Sequence, residues 1–381
     1  MQKDLVYFNN AATSFPKPKC VIDGVNKSLR TPYGEHGRSD ASNQIDYPKL
    51  TRTLLFDFFG GETPENFQFT SNATESLNIL IHGFIKKQNG KIHVITSELE
   101  HNSVLRPLYT LEKQHKITLG IIGFDKEGYV TLNSIKAAKQ KDTKLAVLTH
   151  GSNVLGSVQD IERIGAYLSK ENIFFIVDGA QTAGNVKINL SKIMLDAFVF
   201  TGHKSLLGYQ GIGGFYIKDP NKVESCKQGG TGVFSEYKYQ PDSMPLKFEA
   251  GTLNYPGIVS LYEGIRYLQK NRNGIQLTKK LTAHLIKGLK KIRSLKIYNN
   301  APDLPIIAFN ISGIGCDDVG YILAKHNIIT RTGLHCAPLI HKKIDKGKGC
   351  VRVSLSSSNT PEECDQFIRI TRKIVENIKS T

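Results

Sequence analysis

LAVLTHGSNVLG (145–156), IFFIVDGAQ (173–181) and DAFVFTGHK (196–204) decide the reading of this chain. Each is a short apolar run ending in polar residues, and helical sequence separates the first two. Such runs predict parallel strands buried on both faces of an α/β sheet. Polar residues at the carboxyl ends of such strands point into the crevice where ligands bind. The ends here carry His150 and Asn153, then Asp178 and Gln181, then Thr201, His203 and Lys204. An acid, an amide, a hydroxyl, an imidazole and an amine are expected to converge on one spot.

Pyridoxal 5'-phosphate (PLP) is a cofactor that uses such a set. It needs a lysine for attachment and an acidic partner for its pyridinium nitrogen. Asp178 ends an apolar strand, where the low dielectric strengthens its pairing with a protonated ring nitrogen. Lys204 follows the next strand end, with Gly202 before it and a glycine-rich turn after it. Taken singly, Asp178 reads as a helix cap and Lys204 as a surface lysine. The ordered set is what points to the cofactor.

SNVLG, VDGAQ and TGHK, in this order and spacing, resemble the class V aminotransferase superfamily of fold-type I enzymes. Within it the match is to the cysteine desulfurase and selenocysteine lyase family. The resemblance runs from YFNNAAT (7–13) to RVSL (352–355), nearly the whole chain. It implies a fold-type I PLP-dependent transferase of the α/β class, with a mostly parallel central sheet in a large domain and a smaller α+β domain. A chain of 381 residues fits one large and one smaller domain. The expected division is a PLP-binding domain over 16–255 and a small domain from 1–15 and 256–381.

Composition is that of an ordinary globular protein, 40% hydrophobic and 22% charged. The N-terminus MQKDLVYFNN carries charges where a signal peptide needs an apolar run, and no stretch matches a membrane span. A soluble, cytoplasmic protein is expected. Net charge is +16, but lysines such as Lys279, Lys287 and Lys290 are dispersed, and no nucleic-acid-binding motif accompanies them. The charge fits anionic ligands or an acidic partner protein better than nucleic acid. Six cysteines form no Cys-x-x-Cys pair and no zinc spacing with histidine, so most are expected to be buried small hydrophobes.

The remaining motifs fall into place along the chain. YFNNAATSFPKP is expected as an extended arm, and the resemblance places this segment, with Ala12, at the substrate pocket; Asn9 replaces the family's acid. Tyr33 to Arg38 reads as a polar loop whose His36 and Arg38 align only loosely with family positions. Phe67 to Thr70 is a predicted strand leading into an amphipathic helix, with Asn72 and Glu75 as a capping box. A helix start after a strand also binds phosphate through free amides. The resemblance assigns Ala73 and Thr74 to that role, although Ala73 departs from the family's threonine. Glu98-Leu99-Glu100-His101 follows another strand, and by resemblance His101 stacks on the cofactor ring. Ser225 to Tyr255 is a long aperiodic stretch, the kind of loop that is usually functional or disordered. It ends in FEAGTLN (248–254), which resembles the segment whose threonine, here Thr252, reaches the phosphate in a partner subunit.

Cys336 lies in RTGLHCAP (331–338), a glycine-containing basic loop after a strand, beside Arg331 and His335. Nearby positive charge raises the thiolate fraction of a cysteine. The loop resembles the desulfurase Arg-x-Gly-x-His-Cys motif, with Leu334 in place of a common histidine. The implied reaction converts L-cysteine to L-alanine. Arg352 would hold the substrate carboxylate by a bidentate pair, and Lys204 would move the Cα proton. Asn153 and Gln181 would bond the cofactor's phenolic oxygen, while Thr74, Thr201, His203 and a partner's Thr252 would hold its phosphate. Cys336 would take the sulfur as a persulfide for an acceptor protein. Selenocysteine lyase on L-selenocysteine, an aminotransferase without sulfur chemistry, and a non-catalytic scaffold remain the alternatives. The working unit implied is a homodimer.

Overall fold

The computed structural model describes residues 5–31 and 45–379, with side chains through Ile378. His36 and Arg38 lie outside the described residues. A first short strand, β1 (Val6–Tyr7), leads to the seven strands of the main sheet. These are β2 (Phe67–Thr70), β3 (Ile92–Ser97), β4 (Ile117–Ile122), β5 (Thr143–Thr149), β6 (Phe174–Asp178), β7 (Ala197–Thr201) and β8 (Gly213–Ile217). Their spatial order is β2-β8-β7-β6-β5-β3-β4. Every pairing among β3 to β7 is parallel, and β8 runs antiparallel to both neighbours. The mostly parallel sheet expected from the sequence is present.

The pleat explains why the central strands are apolar throughout. Leu145, Val147, Phe174, Ile176, Ala197 and Val199 pack into one core, with helices Ala73–Lys86 and Asn102–Lys113. Ala146, Leu148, Phe175, Val177, Phe198 and Phe200 alternate with them and pack into a second core on the opposite face. Helix Ile161–Lys170 connects β5 to β6, buries Ile161, Ile164 and Leu168 against that second core, and is capped by Asp160. Helix Tyr255–Lys270 contributes Ile258, Leu261 and Ile265 to the same core.

A smaller antiparallel sheet follows, built from β9 (Leu295–Ile297), β10 (Ile306–Ile311), β12 (Arg331–Gly333) and β13 (Cys350–Ser354) in the order β12-β13-β10-β9. Between β10 and β12 in sequence, β11 (Ile328–Ile329) pairs in parallel with β1. The arm is thereby anchored to the C-terminal part of the chain, and Asn9 bridges to Ser354. Phe8 joins a third core with Phe309, Val353 and Phe367. Within the small sheet, Arg331 pairs directly with Arg352 and Gly333 with Cys350. No helix among the described residues is long and apolar enough to cross a membrane.

Candidate active site

The carboxyl ends of β5, β6 and β7 open on a cavity of about 220 Å³. Ala12, Ala73, Thr74, His101, Asn153, Asp178, Gln181, Thr201, His203, Lys204 and Arg352 line it together. Of the residues expected there, Cys336 and Thr252 are not on its wall. His150 corrects the expectation that every polar strand-end residue converges. Thr149 and Gly151 face the cavity, so the alternation of the strand sends the intervening His150 into the interior, where its Nδ1 has no partner.

Asp178 sits buried at the end of β6, with Oδ1 accepting the Ala180 N–H at 2.9 Å. Burial pushes its carboxyl up, while that N–H and the Lys204 charge pull it down. Burial lowers the Lys204 ammonium to about 8, opposed by Asp178 and reinforced by Arg352 and Arg331. His101 caps helix Asn102–Lys113, its Nδ1 accepting the Ser103 N–H at 3.1 Å and contacting the Ser103 hydroxyl. Burial first, then Lys204, Arg331 and Arg352, hold its imidazole at about 4. The ring is therefore neutral near pH 7.

At one end of the cavity the groups suit an anion. Asn72 Oδ1 accepts the Glu75 N–H at 3.0 Å, as a helix cap should. The Glu75 carboxylate accepts from the Ser71 N–H at 2.6 Å, so the reciprocal half of the expected box is displaced by one residue. Ala73 and Thr74 occupy the first turn, whose amides have no intrahelical partner. Thr201 Oγ1 and His203 Nδ1 are buried without hydrogen-bond partners. Burial, followed by Lys204 and Lys17, holds His203 at about 4.

Arg352 enters from β13 and is 1% exposed. Its Nη1 donates to the Asn153 carbonyl at 3.0 Å, and its Nη2 donates to Asn9 Oδ1 at 3.2 Å. Burial lowers it to about 9, and its Nε has no partner. Asn153 Nδ2 donates to the His335 carbonyl at 2.7 Å, tying the loop after β5 to the cysteine loop. Gln181 Nε2 donates to the Ala11 carbonyl at 3.1 Å, which holds the N-terminal arm over the cavity.

Beside the wall, Arg331 Nη2 lies 3.6 Å from Cys336 Sγ. His335 and Cys336 have φ of +49° and +58°, left-handed conformations that disfavour residues with a Cβ. Two bonds keep the loop there: Asn102 N–H to the Cys336 carbonyl at 2.7 Å and Ala337 N–H to the Leu334 carbonyl at 2.9 Å. Cys336 is half-buried, whereas Cys316, Cys350 and Cys364 are buried. Burial pushes the thiols of those three up, to about 12 for Cys364.

The class-V aminotransferase family model matches residues 6–367. The chain belongs to the class-V aminotransferase family. It is 32% identical to a probable cysteine desulfurase of Pyrococcus abyssi, covering 100% of this chain and 97% of that protein. A probable cysteine desulfurase of Borreliella burgdorferi is also 32% identical, over 99% of this chain and 93% of the other. Among solved structures, the apo cysteine desulfurase of Thermococcus onnurineus matches with a TM-score of 0.89 at 30% identity, covering 98% of this chain and 95% of that one.

Sequence reasoning missed two parts of this class-V aminotransferase site. Glu100 is wholly buried beneath it, accepting from Ser97 Oγ at 2.6 Å and the Thr149 N–H at 3.0 Å. Burial pushes its carboxyl up to about 8. Lys17 reaches Ser14 Oγ at 2.7 Å and the His203 carbonyl at 3.0 Å, and burial lowers it to about 8. Glu100 lies between a strand and a helix and Lys17 between two prolines, and neither setting carries a local signal of burial. Their burial comes from contacts distant in sequence.

Proposed function

We propose that this class-V aminotransferase is a PLP-dependent cysteine desulfurase that converts L-cysteine to L-alanine and takes the sulfur onto Cys336. The observation that carries the reading is the shared wall of Asp178, Lys204 and Arg352, with Arg331 linking that wall to the Cys336 sulfur. The residues fit the cofactor. A buried acid faces the strand ends, a lysine of lowered basicity stands beside it, and unpartnered Thr201 and His203 atoms adjoin a helix N-terminus. When bound, PLP supplies an electron sink for negative charge developing at the substrate Cα.

Lys204 Nζ would be the attachment point for the cofactor and the base for the substrate Cα proton. Its lowered basicity makes the neutral amine accessible near neutral pH. Asp178 would pair with a protonated ring nitrogen, and the neutral His101 ring would support the cofactor. Asn153 and Gln181 would hold the cofactor through their side-chain amides, and Thr74, Thr201 and His203, with the Ala73 amide, would hold its phosphate. Arg352 fixes the substrate carboxylate, and Ala12 leaves room beside it.

Cys336 Sγ attacks the substrate sulfur, with the Arg331 Nη2 group 3.6 Å from the attacking atom. The carbon–sulfur bond breaks as the sulfur–sulfur bond forms. Enzyme thiol plus L-cysteine gives enzyme persulfide plus L-alanine, so no outside oxidant or reductant enters. Transfer to an acceptor protein completes the turnover. The enzyme is proposed to be a cytoplasmic homodimer in which a partner's Thr252 completes the phosphate site. The proposed division is a large domain over 16–255 and a small domain from 1–15 and 256–381, with helix Tyr255–Lys270 packed on the core of the main sheet.

Product analysis with L-cysteine tests the reading. Alanine and a mass increment of one sulfur on Cys336 are expected, and Cys336→Ala should lose both. Wild-type turnover of L-cysteine by Cys336→Ala rejects the persulfide role. Selective turnover of L-selenocysteine by the same variant points to the lyase.

A further inference from the structure

Where the cysteine loop backs onto the small sheet, three buried side chains bring soft and borderline ligand atoms together, one of them, His335, also lining the cavity. His335, His341 and Cys350 each offer one atom within 4.8 Å of the others. They come from the loop after β12, from helix Pro338–Ile344 and from the start of β13. His335 is 3% exposed, and His341 and Cys350 are wholly enclosed. We propose that His335, His341 and Cys350 form a site for a divalent cation of the zinc class, which pins the loop carrying Cys336.

The donor atoms are prepared for it. His341 Nδ1 is held by Asp345 Oδ2 at 2.6 Å, leaving Nε2 buried with no hydrogen-bond partner. A carboxylate behind a histidine is the usual outer support of a metal-bound imidazole, since it fixes the tautomer and raises ligand basicity. His335 Nε2 lies 3.4 Å from Cys350 Sγ. Tetrahedral zinc, with nitrogen at about 2.0–2.1 Å and sulfur at about 2.3 Å, sets such a pair about 3.5 Å apart. The widest separation in the cluster must close by about 1 Å, a side-chain adjustment. His335 Nε2 also lies 3.1 Å from the Cys350 carbonyl; on metallation it gives up that bond, and the ring proton moves to Nδ1.

Charge balance favours the same cation. Zinc carries two positive charges; the Cys350 thiolate and the Asp345 carboxylate supply two negative ones beside neutral imidazoles. The cluster then adds no net charge near Arg331 and Arg352, both close enough to act on His335. Binding displaces the Cys350 thiol proton to solvent, with no redox change. Three protein ligands leave a fourth position for a solvent molecule. The mechanical consequence follows from the chain: His335 immediately precedes Cys336, and both are left-handed. A metal bond at His335 would hold that conformation directly.

The test equilibrates the full-length holoenzyme with Zn²⁺, dialyses it, and measures metal per chain. About one zinc per chain is expected, with zinc-edge X-ray absorption reporting one sulfur and two imidazole ligands. Cys350→Ser and His341→Ala should lose the metal. Asp345→Asn should weaken zinc affinity about tenfold to 100-fold. Cys336→Ser and Cys364→Ser should keep it. If His341→Ala does not fold, the absorption spectrum of the wild-type protein still decides. A zinc-free protein after equilibration, unchanged zinc in Cys350→Ser, or complete loss in Cys336→Ser overturns the site. Because no turnover is measured, failure here is distinct from failure of the desulfurase reading.

Discussion

At the scale of single residues, the site is a set of titratable groups whose burial opposes their charge. His101, His150 and His203 are each held at about 4, below the 6.5 of an unperturbed imidazole. Between pH 6.5 and 4 the unfolded chain binds protons that the folded chain refuses, so stability falls as pH falls through that window. Glu100 runs the other way. Raised from 4.5 to about 8, it keeps a proton in the fold that the unfolded chain releases, and its contribution is lost as pH rises between those values. His150→Gln should therefore flatten the acid-side loss by up to about 3 kcal/mol, and Glu100→Gln should steepen it. Denaturant titrations at several pH values read both slopes, and equal slopes in all three proteins would refute the assignment. Asp178 and Lys204 were legible because each ends an apolar run with a change to polar sequence. His150 was misplaced by reading composition at the strand end without counting the alternation. The left-handed pair His335–Cys336 has no sequence signal, because neither residue is glycine.

At the scale of elements, the three central strands were legible because runs buried on both faces must be apolar throughout. The antiparallel β8 was less so, yet its cause is local. The connection from Gly202 to Ile212 is too short for the helical crossover that a parallel return requires. The pairing of β12 with β13 sets Arg331 directly opposite Arg352. Like charges facing each other across a sheet are destabilising, and here both face the proposed chemistry. Arg331→Gln should stabilise the cofactor-free protein by about 0.2–1 kcal/mol, measured by denaturant unfolding. The same change should slow persulfide formation, since a charge-assisted contact of about 1.5–3 kcal/mol to the Cys336 sulfur is lost. That corresponds to about tenfold to 100-fold in rate. An unchanged rate would remove Arg331 from sulfur transfer, whatever its effect on stability.

At the scale of the whole molecule, the cavity gathers residues from both ends of the chain, and one expected contributor stands apart. Thr252 is exposed and off the cavity wall. It follows Glu249, which is anchored by a buried ion pair with Arg52 and by the Phe69 N–H at 2.7 Å. The segment is thus fixed to the strand that leads into the phosphate-side helix, yet its threonine is free to serve elsewhere. In the proposed homodimer it serves the partner's site, as two-fold symmetry would supply the contact twice. Thr252→Tyr and Lys204→Ala should each be inactive alone. When the two variants exchange subunits, one site of each mixed dimer carries both changes and the other carries neither. Random exchange puts half of the dimers in the mixed state, so roughly a quarter of wild-type activity should return. Subunit exchange is followed independently with two affinity tags on the same samples. If mixed dimers form and no activity returns, Thr252 acts within its own chain or not at all. If the active enzyme sediments as a monomer, the shared site is rejected outright.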